Sequence, residues 1–347
     1  MAVTIKDVAK KANVAPSTVS RVISDSPKIS EKTKRKVRKV MEEMGYHINL
    51  NARVLVQQSS KTIGIVMKNS TSESLNSSFL PEVVQGISAL CRKHDYSISL
   101  ITGDSEDDIY KDAVQKVRGK RVDGMIILYS KEDDKVVPYL MESGIPFVVL
   151  GKPVAGFNKI TFVDNDNIHA AREATEYLIN LGHEKIAFIG DDSEYEVAKA
   201  RFEGFNQAMI SNGLAIHESY IKFFRFNPEY GKKATRELIN LEDRPTAIVI
   251  TDDLDALIVL SAIRDMDLRI PDDISIISFN NSVISRIASP PLTSVDIQIY
   301  ELGYESARCL IEEIKEPSKV KKSVIIPTVI EERESCKPVN QTKYKHY

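Results

Sequence analysis

Apolar and polar positions change their rhythm once along the chain, and the change divides it. In TIKDVAKKA, residues 4–12, Ile5, Val8, Ala9 and Ala12 recur at i, i+3, i+4 and i+7, one stripe of an amphipathic helix. Thr4 is placed to cap that helix, and Asp7, three residues on, supplies the acid of a capping box. The break at NVA precedes Pro16, which suits a first helical position because its fixed φ and missing N–H cost nothing there. Val19, Val22 and Ile23 make a second stripe; a third helix runs from a Ser30 cap through Val37, Val40, Met41 and Met44 to a C-cap at Gly45. From Thr62 the pattern is different. Unbroken apolar runs (TIGIVM, SISLIT, DGMIILY, IPFVVLG, KIAFIGD, SYIKFF, TAIVITD, ISIISF) alternate with helical segments such as PEVVQGISALCRKH and AKARFEGFNQAMISNG. Runs of this kind predict an α/β fold with parallel sheets covered on both faces, and eight strands so spaced suggest two similar halves.

The second helix raises a chemical question. If Val19, Val22 and Ile23 dock inward, Ser17, Thr18, Ser20 and Arg21 are left facing out. Three short helices with a tight turn between the first two form a helix-turn-helix, whose second helix enters a major groove. Arg21 suits a guanine edge, and the hydroxyls, with Thr33 and Arg35 of the third helix, suit phosphates.

Charge sharpens this picture. Residues 1–61 carry 13 Lys and Arg against 5 Asp and Glu, so a head of +8 sits on a body of about −10 within a net −2. A basic head on an acidic body is the outline of a nucleic-acid binder with a separate second domain. A solvated basic face on a generic three-helix bundle is the plainer alternative.

Composition mainly excludes. At 42% hydrophobic and 28% charged the chain reads as globular, and no apolar run nears the roughly 20 residues that span a bilayer. MAVTIKDVAKKANV lacks an apolar secretory core, and Cys91, Cys309 and Cys336 form no CxxC, so a cytoplasmic protein with reduced thiols and no membrane partner is expected. GxGxxG after a strand, GxxxxGK[ST], GxSxG and HExxH are absent, and the six histidines are scattered. No enzyme activity, cofactor or metal site is expected.

TIKDVAKKANVAPSTVSRVIS, followed by ISEKTKRKVRKVMEEMGY, resembles without a gap the DNA-binding head of the lactose-repressor/galactose-repressor (LacI/GalR) family of bacterial transcription regulators. Ala15 departs from it, since many members carry a Ser cap there. The resemblance implies base contacts by Pro16, Ser17 and Arg21, and phosphate contacts by Thr4, Thr18, Ser20, Ser24 and Thr33. It implies a helix-turn-helix domain over 1–47 and a hinge helix within 48–61 that orders on operator DNA, with Ala52 and Leu55 in the minor groove. Ile48 departs again, where members usually have Pro.

The body, 62–340, is similar to the family's two-lobed, periplasmic-binding-protein-like effector domain. The expected N-lobe is about 62–161 and 291–320, and the C-lobe about 162–290 and 321–340. Effector contacts carried over by the resemblance are Phe79, Tyr129, Arg201, Phe226, Asp252 and Asn280, although LNSSFLPEVV lacks the family's usual Asn-Pro and second aromatic. Among members the chain looks most like maltose-operon repressors. That implies a homodimer on a pseudo-palindromic operator, released by maltose or a malto-oligosaccharide. Another sugar, a sugar phosphate or a phosphoprotein corepressor stays open, as does a clamshell sugar-binding receptor.

Overall fold

Three helices open the chain: α1 (Ile5–Ala12), α2 (Pro16–Ile23) and α3 (Glu31–Glu43). The computed structural model describes residues 3–23, 26–46, 59–67, 79–191, 194–224, 227–318 and 320–339. The capping box forms: Thr4 Oγ1 accepts from Asp7 N, and Asp7 Oδ2 accepts from Thr4 N at 2.9 Å. Asn13, at φ 49°, ends α1 in the left-handed region that a short polar side chain tolerates. Val8, Ala9, Ala12, Val19, Val22 and Val37 close a small core of their own, which leaves Pro16, Ser17 and Arg21 exposed on the opposite side. Met44, one residue before the expected Gly45, caps α3; Gly45 follows at φ +63°.

The body consists of two sheets of six strands each. The first contains β1 (Thr62–Val66), β2 (Ser97–Ile101), β3 (Gly124–Ile127), β4 (Phe147–Leu150), β5 (Thr161–Asp164) and β11 (Ser323–Ile325), in the order 2-1-3-4-5-11. The second contains β6 (Ile186–Gly190), β7 (Ile221–Phe223), β8 (Ala247–Ile250), β9 (Ser275–Phe279), β10 (Thr293–Asp296) and β12 (Val329–Glu331), in the order 7-6-8-9-10-12. Counted from its own start, each sheet has the same order. All pairings are parallel except β10 with β12.

Helices cover both sheets: α4 (Phe79–Lys93), α5 (Glu106–Arg118), α6 (Val136–Ser143), α7 (Asn167–Asn180), α8 (Glu196–Ser211), α9 (Pro228–Ile239), α10 (Asp253–Arg264), α11 (Val283–Ile287) and α12 (Ile299–Lys315). Two helix pairs approach through glycine. A Cβ on Gly86 of α4 would lie 2.1 Å from the Tyr300 carbonyl of α12, and one on Gly204 of α8 would lie 2.1 Å from the Ile168 carbonyl of α7. Among the described residues no helix is long and apolar enough to cross a membrane.

Four strands and two helices exceed the pattern reading: β5, β10, β11, β12, α11 and α12. The strands are short, and two of them, β11 and β12, are half exposed, so they lack the unbroken apolar signature that marks the inner strands. The expected lobe limits also move. All of β5, to Asp164, lies in the first sheet although that lobe was expected to stop near 161; β10 lies in the second sheet, not the first; and β11 lies in the first although 321 onward was expected in the second. Each switch comes later because the strand runs to its full length before the chain changes sheets.

The chain passes between sheets at 165–166, 297–298 and 326–328. Asn165, buried at 4% exposure, binds these passages together. Its Nδ2 donates to Ile297 O at 3.1 Å and to Ile326 O at 2.9 Å, while Ile326 N donates to Asp164 O at 2.8 Å. Asn165→Ala should cost about 2–3 kcal/mol, because two carbonyls lose their donor; urea unfolding of the full chain checks this, and an unchanged midpoint would remove the role assigned to Asn165.

Candidate functional site

Two regions bring polar side chains together above a buried scaffold. The first is the outer face of α2. Ser17 and Arg21 are exposed and Thr18 and Ser20 half exposed, one turn apart on a helix whose Val19 and Val22 are buried. The presentation therefore depends on the apolar seam beneath it. Two of the expected phosphate-contact hydroxyls have internal partners: Thr4 Oγ1 donates to Asp7 Oδ2 at 2.6 Å, and Thr33 Oγ1 lies 3.0 Å from Ser30 Oγ. A phosphate would have to compete with the helix caps at both places. Ser24, Ala52 and Leu55 lie outside the described residues.

The second region lies at the carboxyl ends of β6 and β8. Successive connections leave in opposite directions there, the switch point at which open parallel sheets leave a crevice. Arg201, at 7% exposure, occupies it from α8. Its Nε donates to Asn167 Oδ1 at 3.0 Å and its Nη1 to Thr251 O at 2.7 Å, and the guanidinium lies 4.5 Å from the Phe279 ring centroid. A guanidinium has five N–H groups. The two used here leave three without an acceptor among the described residues.

Burial pulls Arg201 down to about 10, against the charges of Asp252, Asp164, Asp191 and Asp253. The same burial raises Asp164 and Asp252 to about 6 each. Asp252 caps α10, accepting from Leu254 N at 2.7 Å, and its Oδ2 accepts from Asn280 Nδ2 at 2.8 Å. Asn280 itself sits at φ 102° where the chain turns off β9.

Thus Arg201, Asp252 and Asn280, expected from sequence, come together on the second lobe. Tyr129 and Phe79 belong to the first. Phe79 opens α4 and packs against the core. Tyr129, 9% exposed, donates to Asp134 Oδ1 at 2.9 Å and lines a cavity of about 10 Å³ with Glu106, Lys131 and Tyr195, room for one water and not for a sugar. Phe226 lies outside the described residues. Around that cavity the lobes touch: Lys131 bridges to Tyr195, Glu196 N donates to Ser130 O at 3.1 Å, and Lys199 Nζ meets Glu132 at 2.6 Å. The rim on this side is shut.

Pattern reading did not single out Asn167, Asp164, Thr251, Asp253 or Asp255. The available signal was a polar cluster closing an apolar strand, VDNDN and TDDLD. Asp253 is fully buried and structural. It accepts from Ser278 Oγ at 2.6 Å, Ser282 N at 2.7 Å, Ser282 Oγ at 2.8 Å and Ser294 Oγ at 2.9 Å, tying α10 to β9, α11 and β10. Asp253→Ala strands four donors and should cost about 3–5 kcal/mol; a denaturant midpoint within error of wild type would contradict that.

Similarity to known proteins agrees with this anatomy. Residues 4–49 match the family described as bacterial regulatory proteins, lacI family, and 175–336 match a periplasmic binding protein-like domain. The chain is 36% identical over 98% of its length to the HTH-type transcriptional regulator MalR of Staphylococcus xylosus, of which it covers 99%. Among solved structures, a complex of the transcriptional regulator CelR with cellobiose aligns with TM-score 0.76 at 28% identity, over 96% of this chain and 100% of that one. A Staphylococcus structure described as a probable maltose operon transcriptional repressor aligns with TM-score 0.74 at 29% identity, over 80% and 98%. With near full-length identity above 30% added to the helix-turn-helix and the paired sheets, the chain belongs to the lacI family of bacterial regulatory proteins, DNA-binding transcriptional regulators and not enzymes.

Proposed function

We propose that this protein represses a sugar-utilisation operon, and that maltose or a malto-oligosaccharide bound between the lobes releases it from its operator. The observation that carries the reading is the buried Arg201, at the switch point of the second sheet, with three N–H groups that find no acceptor among the described residues. Polar groups held in that way without partners suit a ligand rich in hydroxyls. Support for the sugar comes from relatives: one structure named for the maltose operon and another named as a cellobiose complex.

On this reading two copies of the chain present two heads to a pseudo-palindromic operator, because two-fold protein symmetry calls for two-fold DNA symmetry. Pro16, Ser17 and Arg21 read base edges; Thr18, Ser20, Ser24 and Thr33 meet phosphates, with Thr4 positioned beside them; Ala52 and Leu55 enter the minor groove. Phe79, Tyr129, Arg201, Phe226, Asp252 and Asn280 surround the sugar once the rim at Tyr195 opens. The domain scheme is 1–47 for the head, 48–61 for the hinge and 62–340 for the effector body. The protein acts in the cytoplasm, where bacterial operators are. Sugar shifts the equilibrium only if it binds the released form more tightly than the DNA-bound form.

The direct test is fluorescence anisotropy on promoter DNA at fixed salt, with and without maltose. Release by maltose and not by glucose 6-phosphate supports the reading; DNA binding indifferent to maltose removes this effector. Arg21→Ala should relax preference at one base position by about 1–3 kcal/mol, and a uniform loss across sequences would reduce Arg21 to a phosphate contact. Leu55→Ala should weaken operator affinity and bending while sugar affinity holds, since wedging apolar side chains bends DNA; the same bend angle and affinity as wild type would dismiss the hinge role.

A further inference from the structure

Asp255 stands in the first turn of α10, three residues from Asp252, at the mouth of the β6–β8 crevice. It is 7% exposed, and its Oδ1 is sealed from solvent with no hydrogen-bond partner among the described residues. The contrast with Asp253, which satisfies four donors two residues earlier, is instructive. Asp253 holds the fold together. Asp255 Oδ1 meets no donor among the described residues, and a buried acceptor left without a donor costs stability. Such a group is retained where a ligand will use it, because functional sites keep strain and unmet hydrogen bonds that the fold alone would discard.

The surroundings narrow the ligand. At this crevice Arg201 is ringed by carboxylates: the charges of Asp252, Asp164, Asp191 and Asp253 act on it. Asp252 and Asp191 also act on Asp255. A guanidinium among so many carboxylates offers little positive field to an anion. A neutral polyol meets no such penalty, and it offers each buried carboxyl an O–H. Resting on the sugar reading above, we propose that Asp255 is a specificity residue of that same site, pairing with hydroxyls of an uncharged sugar while the acidic ring around Arg201 rejects phosphorylated ones.

Burial first, then the charges of Asp252 and Asp191, raises the Asp255 carboxyl to about 8. Near neutral pH it is therefore largely protonated and can donate as well as accept, which is how an amide behaves. That property supplies the test. Full-length wild type, Asp255→Asn and Asp255→Leu are titrated calorimetrically with maltose, cellobiose and glucose 6-phosphate, and each protein is melted without ligand. Wild type should bind an uncharged disaccharide and not glucose 6-phosphate. Asp255→Asn should stay within about threefold of wild type, while Asp255→Leu weakens sugar binding about tenfold or more and melts no lower. Unchanged sugar affinity in Asp255→Leu, or a lowered melting temperature in both variants, would overturn the assignment and leave the sugar site standing. Preference for glucose 6-phosphate would overturn the charge argument. A wild type that binds none of the three compounds would instead overturn the sugar reading, and the role of Asp255 with it.

Discussion

Everything in the body depends on the chain being allowed to leave one sheet and join the other. A strand end carries backbone groups that have lost their ladder partners, and burying them unpaired is costly. The chain makes this change of sheet at 165–166, 297–298 and 326–328, and one side chain, Asn165, supplies donors to the carbonyls of the other two passages. The passages therefore run side by side as a unit and do not behave as independent tethers. Hinges of this kind place rotation in a few element-terminal residues and leave the sheets rigid. Residues 164–167 serve both purposes: Asp164 and Asn165 close the hinge, and Asn167 accepts from Arg201 in the crevice. The Arg201 guanidinium is thus bonded only two residues from the passages that join the lobes.

The two sheets share one strand order, but their polar chemistry is unequal. The crevice of the second sheet gathers Arg201, Asp252, Asn280 and Asp255, whereas the corresponding end of the first presents Tyr129, Asp134 and the ion pair of Lys131 with Glu106. Tyr195 comes from the second lobe and packs within the apolar cluster of the first, beside Tyr129. One lobe holds most of the hydrogen-bonding capacity, and the other supplies a wall and a point of closure. Fold symmetry and chemical asymmetry coexist because strand order is set by the pattern of buried runs, while the site is set by the few residues at strand ends.

What sequence disclosed follows the same division. The head was legible almost to the residue, since caps, stripes and the proline act locally; Thr4, Asp7, Pro16 and Ser30 do what their positions imply. Eight strands, β1–β4 and β6–β9, showed themselves as apolar runs. β11 and β12 did not, being short, half-exposed edges, nor did β5 and β10, which are largely buried but broken by polar side chains; α12 passed unnoticed although Ile299, Leu302, Ala307, Leu310 and Ile311 are buried along one face. Arg201, Asp252 and Asn280 were reached through resemblance. Asp253 and Asp255 were not, because an aspartate that ties a core, one that caps a helix and one without a donor among the described residues look alike in TDDLD, and Asn165 was lost in the same way within VDNDN. Only the arrangement of neighbours tells them apart.

The late strands have a consequence for how the molecule is made. The first sheet ends with β11 at 323–325 and the second with β12 at 329–331, each on an edge, and α12 has to return to the first lobe before either can be laid down. A nascent chain leaving the ribosome can assemble its helical head at once, since that core is local to residues 3–46. Neither lobe can do the same: both wait for the same last few dozen residues, and until then each exposes an unfinished β edge of the kind that seeks stray partners. Translation therefore releases a head competent to fold well before the body that is to control it is complete.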